Sequence, residues 1–269
     1  MKMDKKAKIF VAGHKGMVGS AICKELKNNG YDNLILKGTH ELDLRNQQMV
    51  NEFFEQFKPE YVFLAAAKVG GIMANSTYKA DFIYENLMIQ NNIIHSSFKL
   101  GVNKLLFLGS SCIYPKMSPQ PIKEEYLLSG YLESTNEPYA IAKIAGLKLC
   151  EYYREQYKSN FISLMPTNLY GFNDSFDLNN SHVLPALIRK FHEAKINNST
   201  HVDLWGTGSP LREFLFVDDL AEACLFMMKN YNESTPLNIG TGKDLSILDL
   251  AELIKDIIGF AGSIKWDSS

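Results

Sequence analysis

Tyr139 and Lys143 stand four residues apart in "NEPYAIAKIAG", so on a helix both side chains share one face and can reach each other. A phenol ordinarily titrates near 10, and a neighbouring ammonium favours its phenolate. Such a pair can exchange a proton with a carbonyl or alcohol while another group moves hydride. Two more candidates lie upstream in "LGSSCIYPK", where Ser110 and Cys112 follow the apolar run "NKLLF". A serine at a strand tip either hydrogen-bonds a substrate oxygen or caps the next turn, and in α/β sheets that edge is where ligands bind. Of the four cysteines, Cys112 alone follows a strand pattern; Cys23, Cys150 and Cys224 sit in apolar helical stretches and read as small core residues.

A third pattern, "VAGHKGMVGSA", sets Gly13, Gly16 and Gly19 between an apolar strand and a helix. That spacing suits a tight turn, close approach to a pyrophosphate and close helix–strand packing, with the helix N-terminus facing the anion. It points to a dinucleotide. NAD sites commonly hold the ribose with an acid after the second strand, but "LKGTHELDL" offers Lys37 and His40 before any acid. With Lys15 in the glycine loop, cations surround the expected 2′-phosphate position and favour NADP(H). The competing reading leaves Lys15 and Lys37 as solvated surface lysines.

These residues need a scaffold, and the chain alternates short β-like runs with longer helical ones. "KIFVAG", "NLILK", "EYVFLAAA", "NKLLFLGSS" and "NFISLMP" are separated by helical patterns near 18–28, 47–57, 79–100 and 138–156. The alternation predicts a doubly wound parallel (Rossmann) α/β sheet with helices on both faces. Beyond "PTNLYG" comes a polar segment, 172–181, then a helix near 182–194, strand plus helix in "FLFVDDLAEACLFMMK", a short strand in "LNIGTG", a helix in "SILDLAELIKDIIG" and a last strand in "SIKWDSS". The second lobe is therefore expected to be interrupted, with residues 1–171 and 213–240 in the cofactor-binding domain and 172–212 and 241–269 in a smaller α/β substrate lobe.

With 269 residues, 46% of them hydrophobic, the chain can bury a sizeable core. A formal charge of −2 argues against nucleic acid or an anionic membrane as the main partner. The N-terminal apolar run "IFVA" is too short for a secretion signal, and no run approaches a membrane span. The cysteines show no CxxC and no paired spacing, which suits a reduced cytoplasm. In "FIYENLMIQNNIIHSSF", Phe82, Ile83, Leu87, Ile93, Ile94 and Phe98 surround the helix. The spread predicts that the two long helices pair with a symmetry mate in a homodimer.

Taken together, the motifs resemble those of the extended short-chain dehydrogenase/reductases. Within that family the chain is similar to the branch that epimerises and reduces GDP-4-keto-6-deoxy-D-mannose. "KVGGI", "SSCIYP" and "SHVLPAL" are more specific than the glycine and YxxxK patterns. The resemblance implies a Ser110–Tyr139–Lys143 triad, with NADP(H) contacts from Gly13, Lys15, Gly16, Met17, Val18, Gly19, Lys37, Ala65, Leu108, Lys143, Pro166, Asn168, Leu169 and His182. It implies that Cys112 and His182 carry epimerisation, and that Lys190, Trp205 and Arg212 contact the GDP-sugar. Members usually continue further, with another strand, a helix and a nucleotide contact, so the substrate lobe is expected to be C-terminally incomplete.

The carbon chemistry gives the cysteine a task. Protons beside a ketone are acidic, and inverting both centres needs a base, an acid on the opposite face and a stabilised enolate oxygen. A thiol titrating near 8.5 is within reach of neutral pH as the base, and His182 is a plausible acid. The rivals are another nucleotide-sugar epimerase or dehydratase and a catalytically silent NADP-binding scaffold. A dehydratase needs an Asp-Glu pair that "SSCIYP" lacks, and a silent scaffold would not need the intact Tyr/Lys pair.

Overall fold

The computed structural model describes residues 3–178 and 181–268. Asn179, Asn180 and Ser269, on which the polar segment and terminal strand partly fall, lie outside the described residues. The chain runs β1 (Ile9–Ala12), α1 (Met17–Asn28), β2 (Leu34–Ile35), α2 (Gln47–Phe57), β3 (Tyr61–Leu64), α3 (Ile72–Thr77), α4 (Lys79–Lys99), β4 (Lys104–Leu108), α5 (Glu137–Tyr157), β5 (Phe161–Pro166) and β6 (Asn168–Tyr170). It continues with α6 (Val183–Ile196), β7 (His201–Trp205), β8 (Leu211–Phe216), α7 (Val217–Asn230), β9 (Leu237–Ile239), β10 (Asp244–Ser246), α8 (Ile247–Ile258) and β11 (Ser263–Asp267).

The strand repeat sorts apolar residues onto two faces of one sheet. Ile9 and Val11, Tyr61 and Phe63, Leu106 and Leu108, and Ile162 and Leu164 enter one core. Phe10 and Ala12, Val62 and Leu64, Leu105 and Phe107, and Phe161 and Met165 enter the other. A strand buried on both faces reads as a continuous apolar run, which is why these strands were legible. The sheet order is β2-β1-β3-β4-β5-β9 and every pairing is parallel. Side chains of α1 and α7 line the first core; those of α2, α4 and α5 line the second.

A separate core holds Leu187 and Phe191 of α6, Val202 and Leu204 of β7, and Leu250, Ala251 and Ile254 of α8. Parallel β7 and β11 edge this unit. Between the two cores, β8 pairs parallel with β6 and antiparallel with β10. The short elements α3, β6, β7 and β10 go beyond the sequence reading; each is set by its neighbours more than by its own pattern.

The long helices correct one expectation. Phe82, Ile93 and Ile94 of α4 do not face outward but are buried within the chain. Gln90 donates to Ala142 O at 2.6 Å, and a Cβ on Gly146 would lie 2.8 Å from the Gln90 side chain. The helices approach closely because α5 is small there. The apolar residues left outside are fewer: Tyr84, Ile141 and Tyr152 are exposed and Ile83, Leu87 and Phe98 half-buried.

Candidate active site

The glycine loop turns out of β1 beneath the exit of β3. Gly13 sits at φ +87°, where a Cβ would also lie 2.7 Å from Ala66 N; only glycine fits. A Cβ on Gly19 would overlap the Gly13 carbonyl, so α1 packs directly against the turn. Gly16 starts α1 with no side-chain cap, leaving first-turn N–H groups for an anion. His14 Nδ1 is buried there with no hydrogen-bond partner among the described residues. This uncapped helix start and bare glycine cradle fit a dinucleotide diphosphate. Met17, Val18, Ala65 and Leu169 are half-buried apolar residues packed on the adjoining core. Ala65 N donates to Ala12 O at 3.1 Å.

The cations beyond β2 differ from the sequence picture in one respect. Lys37 Nζ pairs with Glu41 Oε1 at 2.9 Å, and Glu41 Oε2 accepts the Gly38 N–H at 3.0 Å. The Gly38 amide and then Lys37 hold the Glu41 carboxyl below its usual range. Lys15 Nζ reaches the same place, 3.0 Å from where a Cβ on Gly38 would stand. The two lysines do converge, and they do so beside the carboxylate of Glu41, the first acid after Lys37 and His40.

At the C-terminal end of β4 four expected residues come together. Ser110 caps the 3-10 turn Ser111–Ile113, its Oγ accepting the Cys112 N–H at 3.4 Å. Lys143 of α5 donates to Leu108 O at 2.8 Å, and its Nζ lies 5.7 Å from the Tyr139 ring centroid. Cys112 and Lys143 act on each other electrostatically, and Cys112 acts on Tyr139.

The electrostatics overturn two expectations. Burial pushes the Cys112 thiol up to about 11, and the Ser110 hydroxyl and Lys143 only partly oppose it. The thiol is therefore not poised near neutrality. Burial also pushes the Tyr139 phenol above its usual range, with the Cys112 charge acting the same way, and brings Lys143 down to about 8. Desolvation disfavours every charged form here. Burial therefore keeps the phenol neutral, while Lys143 donates one of its three N–H groups to the Leu108 carbonyl.

The other expected residues lie further out. Pro166 ends β5, and Thr167 and Asn168 both donate to Glu213 O at 3.0 Å. Glu213 was missed by sequence reasoning. Its carboxylate also accepts the Thr241 N–H and, at 2.7 Å, the Gly242 N–H, tying β8 to the loops after β5 and β9. His182 is the N-cap residue of α6, exposed, and its side chain makes no cap bond. Lys190 and Trp205 meet, Nζ lying 5.6 Å from the ring centroid and donating to Asp203 O at 2.9 Å. Arg212, exposed on β8, donates to its neighbour's carbonyl, Leu211 O, at 2.7 Å. Among the described residues no group of three or more His, Cys, Asp or Glu side chains could hold a metal.

Residues 9–240 match the NAD dependent epimerase/dehydratase family. GDP-L-fucose synthase 1 of Arabidopsis thaliana is 62% identical over 264 residues, 98% of this chain and 82% of that protein. GDP-L-fucose synthase of Escherichia coli (strain K12) is 52% identical over 273 residues, 98% of this chain and 85% of that one. Among solved structures, a GDP-L-fucose synthetase from Naegleria fowleri bound to NADP superposes with a TM-score of 0.92 at 32% identity, covering 100% of this chain and 82% of that one.

Proposed function

Because the chain belongs to the NAD dependent epimerase/dehydratase family, we infer that it is a GDP-L-fucose synthase, epimerising GDP-4-keto-6-deoxy-D-mannose at carbons 3 and 5 and reducing its 4-keto group. The identities of 62% and 52% to proteins of that name support the reading. The observation that carries it in this molecule is the convergence of Ser110, Cys112, Tyr139 and Lys143 at the end of β4.

The glycine loop and α1 N-terminus would hold the diphosphate of NADP(H), and Lys15 and Lys37 would take its 2′-phosphate. When bound, NADPH supplies the hydride for carbon 4. Ser110 and the neutral Tyr139 phenol hydrogen-bond the ketone oxygen, which acidifies the protons at carbons 3 and 5. At each of the two carbons in turn the thiolate form of Cys112 removes the proton and His182 delivers one on the opposite face; between the two inversions the thiol gives its proton to water and the imidazole takes one from water. Tyr139 then gives its proton to the oxygen at carbon 4. Lys190 and Arg212 bring cations to the GDP diphosphate beside Trp205, Arg212 with a two-pronged donor set. Residues 1–171 and 213–240 form the cofactor unit in this reading, and 172–212 and 241–269 the sugar-nucleotide unit. Four free thiols suit the reducing cytoplasm; no helix among the described residues is long and apolar enough to cross a membrane.

Incubation with NADPH and GDP-4-keto-6-deoxy-D-mannose in deuterated water is expected to give GDP-L-fucose labelled at carbons 3 and 5. A reduced product with the original configuration at both carbons, or no NADPH oxidation, would refute the assignment.

The homodimer also belongs to this reading. Tyr84, Ile83 and Leu87 on α4 with Ile141 and Tyr152 on α5 leave apolar area outside the chain's own core, and pairing with a second copy would cover it. Light scattering at micromolar concentration is expected to give twice the chain mass, and charge placed at Tyr84 and Tyr152 to give the monomer. A monomeric unmodified protein counts against the pairing.

A further inference from the structure

The loop that follows Cys112 is pinned at both ends by one side chain from a distant strand. Tyr114, two residues on, is 5% exposed, and its hydroxyl donates to Asn238 Oδ1 of β9 at 2.6 Å. Asn238 Nδ2 donates to Ile122 O, at the far end of the loop, at 3.1 Å. Glu124 Oε1 accepts the Asn238 N–H at 2.9 Å, so the same segment also covers the outer edge of β9. Leu237 and Ile239 pack on one core. Strand alternation turns the polar residue between them to the other face, where Tyr114 is buried.

Cys112 sits where this clasp takes hold. Its 3-10 turn ends at Tyr114, whose N–H donates to Ser111 O at 3.3 Å. Ile113, Tyr114 and Pro115 are buried, whereas Cys112 is half-buried. On the N-terminal side the hold is the long bond from the Cys112 N–H to Ser110 Oγ, 3.4 Å. The short, part-buried bond from Tyr114 to Asn238 is the firmer of the two. Burial and then the Glu124 charge push the Tyr114 phenol up to about 12, so the hydroxyl keeps its proton and remains the donor at neutral pH.

We propose that Asn238, through the Tyr114 hydroxyl, is a positioning residue for Cys112, fixing the turn from which the sulfur reaches the protons at carbons 3 and 5. The inference rests on Cys112 acting as the base in epimerisation. Asn238 and Tyr114 give no atom to the reaction. Their bond sets where the sulfur stands and how far it is screened from water. A displacement on the order of 1 Å at a reacting group can cost about a hundredfold. The ionisable groups that act on the thiol are Lys143 and Tyr139 of α5, and the bonds of the clasp involve neither.

The test compares Tyr114→Phe, Asn238→Ala and the two combined. It follows deuterium exchange at carbons 3 and 5, NADPH binding, and alkylation of Cys112 by iodoacetamide against pH. Cys112→Ser supplies the background from the other thiols, all buried. Tyr114→Phe removes one oxygen and keeps the buried ring, so it carries the test if Asn238→Ala disturbs β9. Both single variants are expected to bind NADPH normally and to lose exchange at saturating sugar nucleotide about ten- to a hundredfold. With the turn released, water reaches the thiol and relieves its desolvation. Alkylation in mildly alkaline solution is then expected to run about tenfold faster than in the unmodified protein. More thiolate with less exchange is the mark of a displaced base. Because one bond is at stake, the combined variant is expected to lose no more than Asn238→Ala; losses that multiply overturn the proposal. Undiminished exchange in Tyr114→Phe overturns it too. So does a loss of exchange that comes with lost NADPH binding or with an unmoved alkylation profile, the result of a merely structural role. A raised KM with unchanged exchange at saturation would make the clasp a substrate contact, which also overturns it. If Cys112→Ser keeps full exchange, the reading of Cys112 as the base fails. If Cys112→Ser loses exchange while Tyr114→Phe and Asn238→Ala match the unmodified protein, the positioning role alone fails.

Discussion

Replacing Tyr139 by Phe is expected to slow NADPH-dependent reduction by about 10²–10⁴-fold, the usual weight of a positioned proton donor. The fold should persist. Lys143 keeps its bond to Leu108 O at 2.8 Å, and Phe differs from Tyr by one oxygen. What is lost is the proton for the oxygen at carbon 4 as hydride arrives. The raised titration of the phenol supports this task, because reduction needs Tyr139 protonated at rest and burial keeps it so. The same burial sets a pH dependence. Lys143 is cationic below about 8 and loses its charge above that, so reduction is expected to hold through neutral pH and decline in the alkaline range. NADPH oxidation followed from acid to alkaline pH checks both statements, and an undiminished rate in Tyr139→Phe sinks the assignment.

Cys112→Ser is expected to abolish epimerisation while sparing NADPH binding. Ser110 accepts from the backbone N–H at position 112, so the turn survives the exchange of sulfur for oxygen. The chemistry does not. A thiol pushed up to about 11 is thiolate in only about one molecule in 10⁴ at neutral pH. A serine hydroxyl, a much weaker acid, supplies far less base. Deuterium incorporation at carbons 3 and 5 is therefore expected to fall by about 10²–10⁴-fold. On the acid side of its profile, exchange by the unmodified protein should rise with pH as thiolate accumulates. Undiminished incorporation in the serine variant would show that another group is the base. Cys112→Ser thus removes the base at carbon alone, whereas Tyr139→Phe removes both the proton for the oxygen at carbon 4 and one of the two hydrogen bonds that polarise the ketone.

The sheet could be read in the sequence because it is buried on both faces. Runs such as "IFVA" and "YVFL" have no polar face to confuse with a helix, and the glycines of "GHKGMVG" mark a turn that a Cβ would block at Gly13 and Gly19. Tyr139 and Lys143 were legible for the same local reason: helical pitch alone puts them on one face. Short-range geometry fixes such features wherever the segment ends up. Lys37 showed its charge but not its partner, since Glu41 meets it through a turn whose shape the pattern does not encode. Phe82, Ile93 and Ile94 looked available for a second chain, but this chain buries them itself, Ile93 and Ile94 in the core under the sheet. The titration of Cys112 and Tyr139 departs from the sequence expectation because the neighbouring charge is visible in the sequence and desolvation is not. Desolvation depends on how tightly distant segments close around a group, and only the packed tertiary structure decides that.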